Sequence, residues 1–202
     1  MKKKIYILFA IFLLSIVTSI TTFGANKKVL VAYFSRAGEN YSVGTISKGN
    51  TEIVAEIIAK ETGGDLFKIE PVTPYPDNYN DTVKIARNEK RSNARPKIKN
   101  KVNDLENYDM VFLGYPIWHG DLPMAFYTFF DENNLSRKTI IIFSTHEGSG
   151  LAGTDDLIAD YTKGKVVKNT FSIRGKRVQN SKNKVEIDVK NWIKALRDNK
   201  DI

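Results

Sequence analysis

Val29-Leu30-Val31-Ala32-Tyr33-Phe34 is an unbroken apolar run, rich in β-branched and aromatic residues, that ends at Ser35 and passes into a loop with Gly38, Gly44 and Gly49. A strand that faces water on one side alternates apolar and polar residues. A continuous run belongs to a strand buried on both faces, as in a parallel sheet covered by helices. Two later stretches read the same way, Met110-Val111-Phe112-Leu113-Gly114 and Thr139-Ile140-Ile141-Ile142-Phe143. By contrast, Leu66-Phe67-Lys68-Ile69-Glu70 and Lys165–Phe171 carry charges inside the run, as edge strands do. Between these runs lie helical patterns. Thr51–Thr62 places Ile53, Val54, Ile57 and Ile58 on one stripe, with Asn50 or Thr51 able to cap its start and Gly63-Gly64 to stop it. Further helices are predicted at about Tyr79–Asn93, Pro123–Asp131, Ala152–Tyr161 and Val185–Arg197. Strands alternating with helices imply βαβ units, and so a doubly wound α/β fold: a five-stranded parallel sheet in the order 2-1-3-4-5 with helices on both faces.

The N-terminus reads differently. Lys2, Lys3 and Lys4 precede an apolar and hydroxyl-bearing run to about Ile20, followed by small residues to Gly24. This is the layout of a signal peptide, with cleavage expected after Gly24. The run is shorter than the roughly 20 apolar residues of a membrane span. An uncleaved anchor is the alternative, and either leaves residues 25–202 as one domain outside the cytoplasm, secreted, periplasmic or attached to the envelope. The chain has no cysteine, which excludes disulfides, thiolate metal sites and a lipid-modified cysteine. The first 24 residues hold three of the 31 Lys and Arg and none of the 23 Asp and Glu, leaving a net charge of +5 on the rest. That excess is too small to argue for a nucleic-acid partner. The basic run from Lys84 to Lys101 reads as a solvated helix face, or as a dock for an acidic partner or anionic lipid.

In an open α/β sheet a ligand sits beyond the carboxyl ends of the strands, where the strand order reverses. Three loops therefore matter. The first, from Ser35 through Gly49-Asn50-Thr51, supplies hydroxyls, glycines and a helix N-terminus, which suit a phosphate but also describe an ordinary long loop. The second, Tyr115-Pro116-Ile117-Trp118-His119-Gly120-Asp121, offers a ring on which a flat group could stack, or a packing tryptophan beside a surface histidine. The third, Ser144-Thr145-His146-Glu147-Gly148-Ser149-Gly150, offers backbone amides and the only other histidine, or a glycine turn before a helix. Three such loops at one sheet edge favour a binding site over coincidence.

Tyr33-Phe34-Ser35, Gly49-Asn50-Thr51, Pro116-Ile117-Trp118 and Thr145-His146-Glu147-Gly148-Ser149-Gly150, in that order, resemble the motifs of the flavodoxin family, in its bacterial FMN-binding branch, across Lys28 to about Leu196. The resemblance implies a flavodoxin-like fold and FMN as cofactor. It implies phosphate contacts from Ser35, Gly49, Asn50 and Thr51, and ring contacts from Pro116, Ile117, Trp118, Gly120, Thr145, His146 and Gly148. Two departures stand out: an insertion from about Gly38 to Lys48 in the phosphate loop, and His119 where a second tryptophan is common. Tyr79, after a Pro-Tyr-Pro segment, is a further candidate for the cofactor or a substrate, or a residue that simply caps the loop.

With a flavin present the cofactor carries the redox chemistry, and the protein needs no nucleophile. His119 and His146 are candidates to orient a substrate or relay a proton. No metal site is expected. The sequence is read as carrying no dinucleotide fingerprint of Gly-x-Gly-x-x-Gly, so a separate reductase or a small-molecule donor is expected to supply electrons. Three functions follow: electron transfer with a redox partner protein, NAD(P)H-dependent reduction of a quinone or similar small acceptor, and a flavin-free module that binds another anion in the same crevice.

Overall fold

The computed structural model describes residues 27–202. The expected signal peptide, residues 1–24, lies outside the described residues. Among those described, no helix is long and apolar enough to cross a membrane.

The strands β1 (Val29–Tyr33), β4 (Asp65–Lys68), β5 (Met110–Pro116), β6 (Thr139–His146), β7 (Lys165–Val166) and β8 (Phe171–Arg174) form one sheet. A hairpin of β2 (Gly38–Asn40) and β3 (Gly44–Ile46) stands apart from it. The main sheet is parallel and runs β4-β1-β5-β6-β7, with β8 also paired to β6. This is the predicted 2-1-3-4-5 order. The helices are α1 (Asn50–Thr62), α2 (Tyr79–Arg91), α3 (Ala125–Glu132), α4 (Thr154–Thr162), α5 (Gly175–Asn180) and α6 (Lys182–Asp198).

Register explains the continuous apolar runs. Val31 pairs with Phe112, and Phe112 with Ile141. These residues join one core cluster with Ile53 and Ile58 of α1, Val178 of α5 and Val189 and Ile193 of α6. Their neighbours Leu30, Val111, Leu113, Ile140 and Ile142 point the other way and pack with Phe126 and Phe129 of α3 and Ile158 of α4. Alternation is present in the chain, but both phases are buried. Burial also pushes the phenol of Tyr33, at the end of β1, up to about 12, with Glu52, Glu56 and Glu70 adding to the rise.

The fifth predicted strand is two strands. The Asn169 carbonyl accepts a hydrogen bond from Trp192 Nε1 (3.1 Å), which turns that peptide away from β6 before pairing resumes at Phe171. The short helix α5 has no counterpart in the sequence reading, because a six-residue helix that buries only Gly175 and Val178 shows no stripe. The start of α1 differs too. Its N-cap is Gly49, without a side-chain bond, and Ser35 Oγ instead accepts from the Glu52 amide (3.0 Å). The close of α1 follows the sequence, with Gly63 in the left-handed region at φ 68°.

Candidate functional site

The loops after β1, β5 and β6 meet at one edge of the sheet and surround a cleft of about 220 Å³. Asn50, Pro116, Ile117, Trp118, His119, Thr145 and His146 line it. Ser35, Gly49, Thr51, Gly120 and Gly148 do not, and their placement shows what they do instead.

Gly49 is buried, at an ordinary negative φ of −67°. A Cβ on it would stand 2.2 Å from Ser35 Oγ and 2.7 Å from the Arg36 carbonyl oxygen, so glycine lets the first loop fold directly over the start of α1. Thr51 is only 1% exposed, and its hydroxyl is paired with that of Thr145 (2.8 Å), tying the first loop to the third. Asn50 Oδ1 accepts from Gln179 Nε2 (2.8 Å). The side chains expected to meet a phosphate are therefore largely engaged within the protein. The backbone is not: the amides of Asn50 and Thr51 have no hydrogen-bond partner among the described residues. Two unpaired donors at the positive end of a 13-residue helix form a cradle for an anion.

The second loop closes as a tight turn. Trp118 and Asp121 exchange backbone hydrogen bonds (2.8 and 3.0 Å), with His119 and Gly120 both at positive φ, 51° and 71°. That pattern is the type I′ turn, which Gly120 satisfies without strain and His119 does not. Trp118 packs edge-on against Phe34 (5.2 Å between ring centroids) and Tyr75 (5.0 Å) while still lining the cleft. Trp118 is thus a packing residue that also lines the cleft. Tyr75 in turn donates to Glu89 (2.6 Å), and burial raises the pKa of both groups.

Helix α2 grips this turn. Lys90 Nζ donates to the His119 carbonyl (2.9 Å) and pairs with Asp121 (3.2 Å), while His119 Nε2 meets the Val83 carbonyl (3.1 Å). The carbonyl can only accept, so Nε2 carries the hydrogen. That ring nitrogen is thereby held by α2, which leaves Nδ1 as the one His119 nitrogen with which to relay a proton. Lys90→Met should loosen the turn, leaving Asp121 Oδ2 without its cation in a side chain only 13% exposed. Because Lys90 itself is 41% exposed, the expected loss is about 1 kcal/mol in urea unfolding, with Lys90→Arg retaining most of it.

The third loop is joined to the second by the Ile117 amide and the Thr145 carbonyl (3.0 Å). His146 Nδ1 accepts from the Gly148 amide (2.8 Å), which assigns the ring proton to Nε2. Burial and, secondly, the charge of Arg174 hold its pKa below 6.5, against the pull of Glu147. Glu147 accepts from the Lys176 amide (2.7 Å) and so fixes α5 to this loop. The reading that the sequence lacks Gly-x-Gly-x-x-Gly is incorrect as a statement of spacing, because Gly148–Gly153 spells it between β6 and α4. Its glycines take φ of 138°, 60° and 77°, and the first turn of α4 carries Asp155 and Asp156, whose charges repel a pyrophosphate. The spacing here serves the turn.

The inserted segment contributes the wall the motifs do not reveal. Arg36, Asn40 and Tyr41 reach the cleft from the hairpin side, and Tyr79, Val83 and Ala86 from α2. Only Tyr79 was legible beforehand, because the others belong to no motif and meet only in three dimensions. Arg36 donates to the carbonyls of Ala37 (2.6 Å) and Glu39 (2.5 Å), and its partial burial lowers its pKa below the usual guanidinium value despite Asp77 and Glu39 nearby. Among the described residues no cluster of His, Asp or Glu could hold a metal ion.

No curated protein matches the chain. Among solved structures, a candidate flavoprotein from Bacteroides eggerthii is 28% identical with a TM-score of 0.63, covering 84% of this chain and 98% of its own. A second, from Bacteroides uniformis, is 25% identical with a TM-score of 0.64, covering 83% and 98%. A flavoprotein from Lactobacillus acidophilus, solved in complex with FMN, shares the fold at 22% identity and a TM-score of 0.58, over 76% of this chain and 97% of that one. The profile of the flavodoxin family matches residues 28–196, nearly the whole of the described chain, and this protein belongs to that family.

Proposed function

We propose that this protein is an FMN-dependent redox protein that works outside the cytoplasm. The observation that carries the reading is the pair of unpaired amides at Asn50 and Thr51, set under a first loop that only Gly49 allows to close, at the rim of a cleft lined by Trp118 and Thr145. The phosphate would take the amides, and the ring would lie between the second and third loops. When bound, FMN supplies the one- and two-electron chemistry. The chain's own residues hold and orient it: Ile117 and Thr145 fix the spacing of the two loops, Lys90 fixes the turn, and His146 presents Nε2–H. The solved complex of the Lactobacillus acidophilus relative with FMN supports the same cofactor. Family membership supports a redox partner, protein or small molecule. Export rests on the lysine-led apolar run before Gly24, and sequencing the N-terminus of the mature protein tests it.

The visible absorption spectrum of the purified protein, before and after FMN is added and the excess removed, tests the cofactor directly. Retained flavin bands with quenched fluorescence are the expected result. A protein that stays colourless in both samples would favour the flavin-free anion module.

Retention should also depend on pH. A histidine whose folded pKa is lowered contributes its full stabilisation above the unfolded value of 6.5, and loses it as pH falls from there through the lowered folded value. Protonation puts a hydrogen on Nδ1, which can then no longer accept from Gly148. FMN affinity, measured by fluorescence quenching from about pH 8 down to about pH 5, should hold through 6.5 and decline as pH falls through the lowered folded value, and His146→Gln should flatten that decline.

A further inference from the structure

The hairpin that interrupts the first loop is fixed in place. The Glu39 carboxylate accepts from the Tyr79 amide (3.0 Å) and Asn78 Nδ2 (3.2 Å) at the start of α2, and the Glu39 amide donates to the Asp77 carbonyl (2.8 Å). A negative charge at a helix N-terminus is favourably placed. Gly38, at φ 81°, lies so close to Asp77 that a Cβ would stand 2.9 Å from its carboxylate. The result is a wall on the far side of the cleft from the motif residues. Tyr41 and Tyr79 have ring centroids 5.9 Å apart and planes only 31° apart, and Val83 and Ala86 continue the surface. Tyr41 is 62% exposed, so its ring is held at the cleft mouth with most of its surface still in water. Beside it, Arg36 uses two of its N–H groups on backbone carbonyls and makes no ion pair within 4.0 Å among the described residues. A guanidinium has five donors, so some remain for a ligand oxygen.

We propose that Tyr41, Tyr79 and Arg36 form a subsite for a small planar electron acceptor of the quinone class, adjacent to the FMN position. The proposal rests on the FMN reading. The tyrosines offer ring faces and edges for stacking, and the guanidinium polarises a carbonyl oxygen, while the nearby Glu39 carboxylate is occupied by the Tyr79 amide and Asn78. The net reaction converts both quinone carbonyls to hydroxyls with two electrons and two protons. A dihydronicotinamide supplies a hydride and becomes oxidised nicotinamide, and solvent supplies the second proton.

The test uses the purified protein loaded with oxidised FMN, so that binding is read without turnover. Adding 1,4-naphthoquinone should shift the NMR resonances of the Tyr41 and Tyr79 rings. Tyr41→Ala, at an exposed position, should weaken naphthoquinone binding about tenfold. In steady state with NADH or NADPH, the KM for naphthoquinone should rise and kcat hold. FMN uptake with unchanged naphthoquinone affinity in Tyr41→Ala overturns the subsite alone. A KM that rises for the dihydronicotinamide and not for naphthoquinone overturns the quinone assignment. Failure to take up FMN at all, visible before any quinone is added, overturns the cofactor reading and this proposal with it.

Discussion

Gly49→Ala should weaken FMN binding about a hundredfold while leaving the fold intact, because two charge-assisted hydrogen bonds of the kind at stake contribute on the order of 3 kcal/mol together. The added Cβ needs room that is already occupied by Ser35 Oγ at 2.2 Å and the Arg36 carbonyl oxygen at 2.7 Å. A serine side chain can rotate away, but the Arg36 carbonyl is backbone, so the first loop must lift off the start of α1. Lifting it removes Ser35 Oγ from the Glu52 amide and separates the loop from the two unpaired donors. The sheet core is untouched, so the far-ultraviolet spectrum should be preserved and flavin fluorescence should report the loss. Adding Ser35→Ala should not restore binding, since the backbone clash persists. Full recovery in that double variant would show that the glycine serves only to make room for a hydroxyl, and the cradle would lose its main support.

Gly114→Ala should act on the fold itself. Gly114 sits in β5 between Tyr33 of β1 and Phe143 of β6, and a Cβ there would stand 1.9 Å from Phe143 Cζ. The Phe143 ring lies across the glycine and is fully buried, so it has nowhere to move. Overpacking of this severity should cost about 3 kcal/mol or more, which lowers Tm by roughly 6–12 °C in a domain of this size. Phe143→Leu in the Gly114→Ala background should recover part of the loss, although Phe143→Leu alone leaves a cavity and destabilises. A coupling energy above about 1 kcal/mol in that double-variant cycle, measured by urea unfolding, identifies the ring-over-glycine contact as the cause. Additive losses would mean that Gly114 matters for another reason.

The order of the sheet was legible because composition separates its strands. The runs at Val29, Met110 and Thr139 could only be central, and Asp65–Lys68 and Lys165–Val166, with lysines in the pairing, lie at the edges. The placement of three loops at one edge followed from topology alone, since parallel strands end on the same side. The roles of Ser35 and Thr51 were not legible. A hydroxyl beside a helix start can meet a phosphate or a neighbour, and only the fold brings Thr145 to Thr51 across 94 residues. The same holds for His119, whose sequence neighbours say nothing of the Val83 carbonyl that holds its ring.

By itself the sequence determined a doubly wound sheet, the edge at which the three loops gather, the family resemblance and the lysine-led N-terminus, because these depend on local composition, periodicity and short motifs. The tertiary structure alone decided that the insertion is a hairpin hooked by Glu39 onto α2, and that Lys90 grips the second loop. It also showed that the helix start offers amides while its side chains are already engaged. The physical reason is the same in each case. A hydrogen bond or ring contact between residues far apart in the chain depends on where the whole core sets their backbones, and no local pattern encodes that distance.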